Sequence, residues 1–347
     1  MSHSLAAVRT RPPDLDDDAV TRSLADGWGV EVASMSYVPE GGGSHHWKVT
    51  DAYGGVFFVR VDDLDDKDWL GDTRDVVFEG LERALATAGA LRTDADLAFV
   101  VAPLSAADGT LGRRLTPRYA ISLYPYLAGV SYPFGPYADE GVRSAAMEMV
   151  IAVHQATPIV GHLAPQHVPR IGRRDHLDAF LREPDKPWDA GPFGGPAHDL
   201  LAPHAATLAK VVQAFDDLVE ATVGARSATV VTHGEPHPAN VMSVSDTLVL
   251  IDWDTVALAA PERDLWMVAP KGDALFGRYE AVTGHHVDPA TITLYRLRWY
   301  LDDIASAVRL FDSPHELTAD TQRWSTDLAS RVESLGSWRQ TWREPAT

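Results

Sequence analysis

The 347-residue sequence predicts an α+β protein with two lobes, a small antiparallel β-sheet lobe followed by a larger, mainly helical one. Short runs rich in Val, Phe and Thr, separated by glycine-containing turns, dominate residues 31–127 and are typical of strands. Beyond residue 129, apolar residues recur at steps of three and four, which is typical of helices. We therefore expect a first domain over residues 1–128 and a second over 129–347.

Composition narrows the class of function. The sequence contains no cysteine, which excludes a disulfide framework and thiolate chemistry. It lacks an apolar signal-peptide core and any uncharged apolar run of about 18 residues, so we expect a cytoplasmic protein without a membrane partner. A net charge of −19 argues against a nucleic-acid partner, because phosphates require a basic surface, and suits a cationic small molecule. Solubility alone explains the acidity equally well.

The first domain begins with a predicted helix over residues 15–28, whose acidic first turn suits the helix dipole. Strand patterns follow on both sides of the loop Gly41–Ser44, and a third strand carries Arg60. Glycines in such a loop allow close approach to phosphates, although a simple hairpin turn explains three glycines equally often. The GxxxxGK[ST] pattern is absent, so the motif evidence excludes a P-loop.

A helix is predicted over residues 74–91, because apolar residues recur there at helical spacing. Glu79 lies beside this apolar stripe, where exposure to solvent is the default interpretation. The acidic segment before the helix contains Lys67 and is interpreted as a solvated loop, with Lys67 as a less favoured second cation. Further strands over 97–104 and 119–127 would complete a five-stranded sheet.

The second domain is predicted to be helical, with long helices over residues 138–157 and 197–222. Another begins at Asp288 and Pro289, a typical N-cap and first helical residue. Its apolar stripe consists of Leu294, Leu297, Leu301, Ile304, Val308 and Phe311. The neighbouring Trp299, Asp302 and Asp303 would form an acidic, aromatic face able to receive an ammonium-bearing sugar. A half-exposed helix face is the more common explanation of such residues.

The most informative stretch is Thr229–Thr255, in which two short strand patterns flank a polar loop. The loop contains Glu235 and Asn240, and the second strand ends at Asp252. Two acids and an amide are the parts of a phosphoryl-transfer site. One carboxylate would accept the proton of the attacking hydroxyl, while the amide and the other carboxylate would hold Mg²⁺ against nucleotide phosphates.

Simpler explanations exist for each residue alone. Asn240 and Asp252 could be ordinary turn residues. The spacing of His233 and His237 is that of a zinc-binding helix, but the prolines beside His237 disfavour a helix there. The combination of all three polar residues at this spacing favours the phosphoryl-transfer interpretation.

The motif HGEPHPAN followed by IDWD resembles the aminoglycoside phosphotransferase family, small-molecule kinases related in fold to protein kinases and choline kinases. The resemblance covers roughly residues 30–310 and implies a protein-kinase-like fold and a kinase that uses ATP and Mg²⁺. It implies that Glu235 is the catalytic base and that Asn240 and Asp252 are the metal ligands. The family's usual base is Asp, one methylene shorter than Glu235, and a displacement of about 1 Å can cost roughly a hundredfold in rate.

The resemblance also implies a nucleotide site in the first domain. Arg60 stands where the family generally has an ATP-contacting Lys, and Glu79 is the candidate for the helix acid that pairs with that cation. A hinge after the last strand would bind adenine, and Asp264 resembles the acid that anchors the catalytic loop. The implied nucleotide-binding residues are Gly41, Gly42, Gly43, Ser44, Arg60, Glu79, Pro125, Tyr126 and Leu127.

The predicted function is transfer of the ATP γ-phosphoryl group to a hydroxyl of a small cationic substrate, such as an aminoglycoside, aminocyclitol or amino sugar. One alternative is a metabolic kinase for a neutral sugar, amino alcohol or nucleoside, because a fold does not determine a substrate. The other is an inert pseudokinase, since Glu235 and Arg60 both depart from the family pattern. Retention of Asn240 and Asp252 favours catalysis.

Overall fold

The computed structural model describes residues 10–224, 229–269 and 274–335. Their contacts divide the chain into two compact units. The first contains the chain up to His167 together with residues 229–269 and Ala274–His285, and the second contains the remainder. The first unit thus includes the polar loop near residue 235. This division does not coincide with the predicted boundary between residues 128 and 129. The two predicted domains, residues 1–128 and 129–347, stay a prediction.

The secondary structure is mixed, as the fold class predicts. In chain order, the strands are β1 (Val32–Val38), β2 (His45–Asp51), β3 (Val56–Asp63), β4 (Arg113–Arg114), β5 (Tyr119–Pro125), β6 (Val130–Ser131), β7 (Val230–Thr232), β8 (Val241–Val244), β9 (Thr247–Leu250) and β10 (Ala257–Ala259). The helices are α1 (Asp17–Trp28), α2 (Arg74–Thr93), α3 (Glu140–Gln155), α4 (Thr157–Val160), α5 (Arg174–Arg182), α6 (Gly194–Leu201), α7 (Ala205–Gly224), α8 (Glu262–Val268), α9 (Ala274–Thr283), α10 (Pro289–Phe311) and α11 (Ala319–Leu335).

The first unit contains an antiparallel five-stranded sheet in the order β1-β2-β3-β5-β4. The prediction of a strand over residues 97–104 was wrong, because the fifth strand is β4, which pairs with β5. Residues 97–104 form no strand of this sheet. Their backbone instead bonds at separate points to Leu250 and to Leu123, so the apolar pattern reflects burial without a continuous ladder.

The register of this sheet separates an apolar face from a polar one. Side chains alternate between faces along a strand, so Val59 and Val61 point to the side opposite Arg60 and Asp62. The apolar face packs with Leu24 and other residues of α1 in a buried core. On the polar face, Arg60 lies opposite His46 on β2 and Ser122 on β5. The register therefore gathers charged and polar groups on the side of the sheet away from α1.

Both helices predicted in the first domain are confirmed, α1 before the first strand and α2 between β3 and β4. The N-cap of α1 is Asp16, whose carboxylate accepts the backbone N–H of Asp18. Thr73 caps α2 by accepting the N–H of Val76. One face of α2 is buried in a small cluster with Leu64 and Ala120. Helix α2 directly follows the acidic segment that contains Lys67.

The second unit is helical and has its own apolar core, to which α5, α6, α7, α10 and α11 contribute. The prediction for α10 is confirmed, because Asp288 accepts the backbone N–H of Ala290 and Thr291, and all six residues of its predicted stripe are buried. The single helix predicted over 197–222 was wrong. A 3₁₀ turn at Ala202–His204 separates α6 from α7, where Pro203 lacks the N–H that a continuous helix would need. Within the described residues, no helix is both long and apolar enough to cross a membrane.

We predict that Leu301→Ala destabilises the second unit by about 2–5 kcal/mol, because Leu301 is fully buried in the α10 stripe and its truncation leaves a cavity. The free energy of unfolding would be measured by urea denaturation. Leu317→Ala is the matched control, since the Leu317 side chain is 72% exposed and its truncation should change stability by less than about 0.5 kcal/mol. Equal effects of the two substitutions would contradict the assigned core.

Candidate active site

The polar loop of residues 233–240 is held at its start by a buried carboxylate. Asp264, on α8, accepts the backbone N–H of His233 at 2.7 Å and that of Gly234 at 2.6 Å. His154 lies 3.1 Å from the same carboxylate. Burial opposes ionisation of Asp264, but the hydrogen bond and charge of His154 outweigh it, and the pKa of Asp264 lies below its usual value. Asp264 thus anchors the loop, in agreement with the family resemblance.

Gly234 adopts a conformation that only glycine accommodates here. Its φ is +100°, and a Cβ atom at this position would lie 2.4 Å from the guanidinium of Arg263. That guanidinium donates to the Thr232 hydroxyl at 2.7 Å and to the Thr255 carbonyl at 2.8 Å. Arg263 therefore ties the end of β7 to the segment after β9, and Gly234 provides the space for it.

His233 orients the loop through both ring nitrogens. Its Nε2 lies 2.9 Å from the Ile251 carbonyl, and its Nδ1 accepts the backbone N–H of Glu235 at 3.1 Å. Burial lowers the pKa of His233, which favours the neutral ring that this pair of contacts requires. His233 thus links the loop to the strand end that precedes Asp252.

Glu235, Asn240 and Asp252 lie together, as the motif spacing predicts. The Asn240 side-chain amide donates to the Glu235 carbonyl at 2.9 Å, which orients the amide group. The Ile251 N–H donates to the Asn240 carbonyl at 3.0 Å and so brings the end of β9 beside Asn240. Asp252 follows with a left-handed φ of +69°, and its side chain is 39% exposed. Two carboxylates and an amide therefore share one partly open patch.

Arg60 contacts the candidate metal ligand directly. Its Nη1 is hydrogen-bonded to the Asp252 carboxylate, and its Nη2 lies 2.6 Å from Asp254. Its Nε donates at 2.9 Å both to Asp62 and to the Ser44 hydroxyl. Burial opposes ionisation of Asp252, but the neighbouring cations, with Arg60 the strongest, together outweigh it, and the pKa of Asp252 lies below its usual value. Arg60 on β3 thus joins the sheet to the turn that begins at the candidate metal ligand Asp252.

Lys67 is the second cation of this cluster, and its interpretation as part of a solvated loop was wrong. Its side chain is 0% exposed. The ammonium lies 2.9 Å from the Asp62 carboxylate and is also hydrogen-bonded to Asp254. A lysine surrounded by acids in a short segment is ordinarily a surface residue, so local sequence carried no signal of burial. We call Arg60, Lys67, Asp62, Asp252 and Asp254 the charge cluster.

The sequence matches the family described as Phosphotransferase enzyme family over residues 39–300. This chain belongs to that family. It is 26% identical to Protein StrN of Streptomyces griseus over 267 residues, which cover 73% of this chain and 76% of that protein. The family assignment confirms the resemblance derived from HGEPHPAN and IDWD.

Solved structures share the fold. A spectinomycin phosphotransferase in complex with ADP and spectinomycin has a TM-score of 0.65 and 15% identity, with 96% of each chain covered. A microcompartment-associated aminopropanol kinase has a TM-score of 0.61 and 14% identity, with 96% of this chain and 100% of that chain covered. The predicted kinase-like fold is confirmed by these structures, and the prediction of an enzyme is confirmed by the family, whose members are phosphotransferases.

Glu79 does not take the part that the family pattern implies. It lies on the exposed side of α2, whereas the ion-pair partners of Arg60 are Asp62, Asp252 and Asp254. The predicted Glu79–Arg60 pair is therefore wrong. Asp62 lies two residues after Arg60 on β3 and therefore on the same face of the sheet. Asp62 thus provides the negative charge that the family pattern places on α2 at Glu79.

The glycine loop and the hinge lie at opposite ends of the sheet's polar face. Gly41 has a φ of +95°, and Ser44, at the end of the loop, is buried and donates to Asp62 at 2.5 Å. The loop therefore connects to Arg60 through Ser44. At the end of β5, the Tyr126 ring lies 4.3 Å from the Lys48 ammonium in a cation–π contact. Nucleotide binding by the predicted residues Gly41, Gly42, Gly43, Ser44, Pro125, Tyr126 and Leu127 stays a prediction.

The acids predicted to bind substrate lie on α10 in the second unit, and both have cationic partners. Asp302 accepts the backbone N–H of Gly172 at 2.6 Å and pairs with Arg298 at 3.0 Å. Asp303 pairs with Arg331 at 2.5 Å, yet burial raises the pKa of Asp303 to about 6. An incoming ammonium would therefore compete with an arginine at each acid. The substrate role of these acids and Trp299 stays a prediction.

We predict that Gly234→Ala destabilises the first unit by about 1–3 kcal/mol and weakens catalysis, since the new methyl group would displace Arg263 and strain a left-handed residue. Thermal unfolding and steady-state kinetics would measure both effects. Gly277→Ala is the matched control, because no atom lies within 4 Å of a Cβ built at that helical position. It should stabilise α9 by about 0.5–1 kcal/mol. Unchanged unfolding of Gly234→Ala would refute the assigned loop geometry.

Proposed function

We propose that this enzyme transfers the γ-phosphoryl group of ATP to a hydroxyl of a small cationic acceptor, such as an aminoglycoside, an aminocyclitol or an amino sugar. The supporting observation is the convergence of Glu235 and Asn240 with an Asp252 carboxylate that contacts a buried arginine. Phosphoryl transfer requires a proton acceptor, metal ligands and positive charge near the phosphates. The protein itself does little covalent chemistry in this reaction. This patch contains each of those groups.

The donor set fits Mg²⁺ bound together with a nucleotide. Mg²⁺ is usually held by one or two carboxylates plus substrate phosphates, without a complete protein cage. Asp252 offers a partly exposed carboxylate, and the Asn240 amide nitrogen is used by the Glu235 carbonyl, which leaves the amide oxygen as the ligand atom. In the described part of the chain, no three His, Cys, Asp or Glu side chains are grouped to hold a metal by themselves. When bound, the ion neutralises charge on the phosphate oxygens.

The protein groups have separate tasks in the transfer. Glu235 accepts the proton of the acceptor hydroxyl as that oxygen forms its bond to the γ-phosphorus, and the bond from phosphorus to the ADP oxygen breaks. Arg60 turns from Asp252 to the phosphate oxygens, for which its guanidinium supplies paired donors. The glycine loop that ends at Ser44 covers the phosphates with backbone N–H groups.

The charge of the protein supports a cationic acceptor. The net charge of −19 attracts a cation and concentrates it near the protein. The similar spectinomycin phosphotransferase and aminopropanol kinase support small amine-bearing acceptors as the class to test first. Direct contacts of the acceptor with Trp299, Asp302 and Asp303 are part of this proposal.

The deciding measurement is mass spectrometry of aminoglycosides, aminocyclitols, amino sugars, amino alcohols and neutral sugars incubated with the enzyme and Mg·ATP. We expect one acceptor class to gain a single phosphoryl group. Asp252→Asn is the blank, because it removes the proposed metal carboxylate, and should lower the yield at least about a hundredfold. Phosphorylation of neutral sugars only would overturn the cationic acceptor, and equal activity of the blank would overturn the role of Asp252.

We predict that Glu235→Gln lowers kcat by about 10²–10⁴-fold with a smaller change in KM, because the amide cannot accept the hydroxyl proton. Glu235→Asp keeps a carboxylate and should retain more activity than Glu235→Gln. Steady-state kinetics on the acceptor identified by mass spectrometry would measure both. A Gln variant that keeps more than about a tenth of the kcat would remove Glu235 from the role of base.

A further inference from the structure

We propose that Lys67 is a positioning residue for nucleotide binding: it stays with Asp62 and Asp254 and thereby allows Arg60 to leave the charge cluster for the phosphates. This inference rests on the proposed function, since it concerns the cation that would serve the nucleotide. It assigns a role to a residue outside the HGEPHPAN and IDWD motifs.

Lys67 is enclosed where it cannot itself meet a ligand. Its side chain has no exposed surface, whereas the Asp252 side chain at the open side of the cluster is 39% exposed. A buried ammonium is stable only with close anionic partners, and Asp62 and Asp254 supply them. Burial opposes the charged form of Lys67, but these carboxylates raise its pKa above the usual value. Lys67 is therefore a fixed positive charge behind the site.

Asp62 and Asp254 each bind both cations of the cluster. Asp62 lies 2.9 Å from Arg60 and 2.9 Å from Lys67. Asp254 lies 2.6 Å from Arg60 and also contacts the ammonium of Lys67. Arg60 and Lys67 thus share two buried carboxylates, and the strength with which those carboxylates hold Arg60 depends on whether Lys67 is present.

The charge count shows the consequence. Three aspartates and two cations give the cluster a net charge of −1 when all are ionised. Without Lys67 the net charge is −2, so Asp62 and Asp254 hold Arg60 more tightly and the cluster repels an anionic nucleotide more strongly. Without Asp254 the net charge is zero, and both effects are reversed. Nucleotide affinity should therefore follow the net charge of the cluster.

Asp254 also connects Lys67 to the metal-ligand turn. It lies in the 3₁₀ turn Trp253–Thr255, which directly follows Asp252. The Trp253 indole donates to the Leu250 carbonyl at 2.9 Å, and the Thr255 hydroxyl donates to the His233 carbonyl at 2.8 Å. The side chains of Trp253 and Thr255 are thus held by hydrogen bonds to backbone carbonyls. The contact with Lys67 holds the side chain of Asp254, the third residue of the turn.

The test is calorimetric titration of the full-length protein with ATP, once with Mg²⁺ and once with a chelator. Lys67→Met, which removes the charge at similar length, should weaken ATP binding at least about tenfold in both conditions. The double variant Lys67→Met/Asp254→Asn restores the wild-type net charge and should recover at least half of that loss on a logarithmic scale. Asp254→Asn alone should bind ATP at least as tightly as wild type.

A purely structural role of Lys67 predicts a different pattern. It would lower the unfolding temperature of Lys67→Met but leave ATP affinity unchanged below that temperature, which would overturn the inference. Lys210→Met, at an exposed lysine of α7, is the matched control and should match wild type in both measurements. If Lys67→Met does not fold, the double variant is compared with Asp254→Asn, and equal ATP affinity of these two overturns the inference.

The same titration separates this inference from the proposed function. Absence of ATP binding by the wild-type protein would overturn the proposed function, and this inference with it. Tight binding by wild type together with equally tight binding by Lys67→Met would overturn only the role of Lys67. Binding that weakens as the net charge of the cluster becomes more negative would support both.

Discussion

The site depends on one physical constraint, which is that charges removed from water must be paired. Arg60 and Lys67 are both buried, and their carboxylate partners come from β3 and from the turn after β9. These two segments are nearly two hundred residues apart in sequence and are held together by the ion pairs. Burial alone stabilises the apolar face of the sheet, whereas the buried cations on the polar face need carboxylate partners. These ion pairs therefore tie the sheet to the turn that contains Asp252 and Asp254.

A second set of contacts fixes the loop that carries the proposed base. Asp264 receives two backbone N–H groups at the loop start, and Arg263 beside it holds the strand end and the segment after Asp252. The ring of His233 connects Glu235 in the loop to Ile251, which directly precedes Asp252. Because these anchors bond to backbone groups and to the Thr232 hydroxyl, they orient the loop without using the side-chain atoms of Glu235 and Asn240 proposed for catalysis. The loop is thus positioned in advance, which favours transfer chemistry that depends on alignment.

Two departures from the family pattern, Arg60 in place of Lys and the exposed Glu79, have a common physical explanation in this cluster. Arg60 in place of Lys brings a larger guanidinium with donors in several directions, and three aspartates and Ser44 occupy them. The helix acid Glu79 is then not required, and it lies in solvent. Asp62 on the same strand provides the counter-charge, and Lys67 provides the second cation that Asp62 and Asp254 require.

Much of the architecture was predictable because it follows from local patterns. The strand and helix periodicities, the cap at Asp288 and the motif residues Glu235, Asn240 and Asp252 are visible in short windows of sequence, and the structure brings the motif residues together. The strand at residues 97–104 and the continuous helix across Pro203 were mispredicted. The apolar run at residues 97–104 reflects burial, but these residues form no continuous series of strand hydrogen bonds. At Pro203, the missing backbone N–H interrupts the helix.

The family, the fold class and the polar residues proposed for the active site were all predictable from the amino-acid sequence, because they are encoded in contiguous motifs and in periodicity. The pairing of the buried charges, in contrast, was visible only in the folded protein. Lys67 in an acidic segment has the composition of a surface residue, and Glu79 has the position of an ion-pair partner, yet the first is buried and the second exposed. Ion pairing depends on distances between residues far apart in the chain, and local patterns contain no information about those distances.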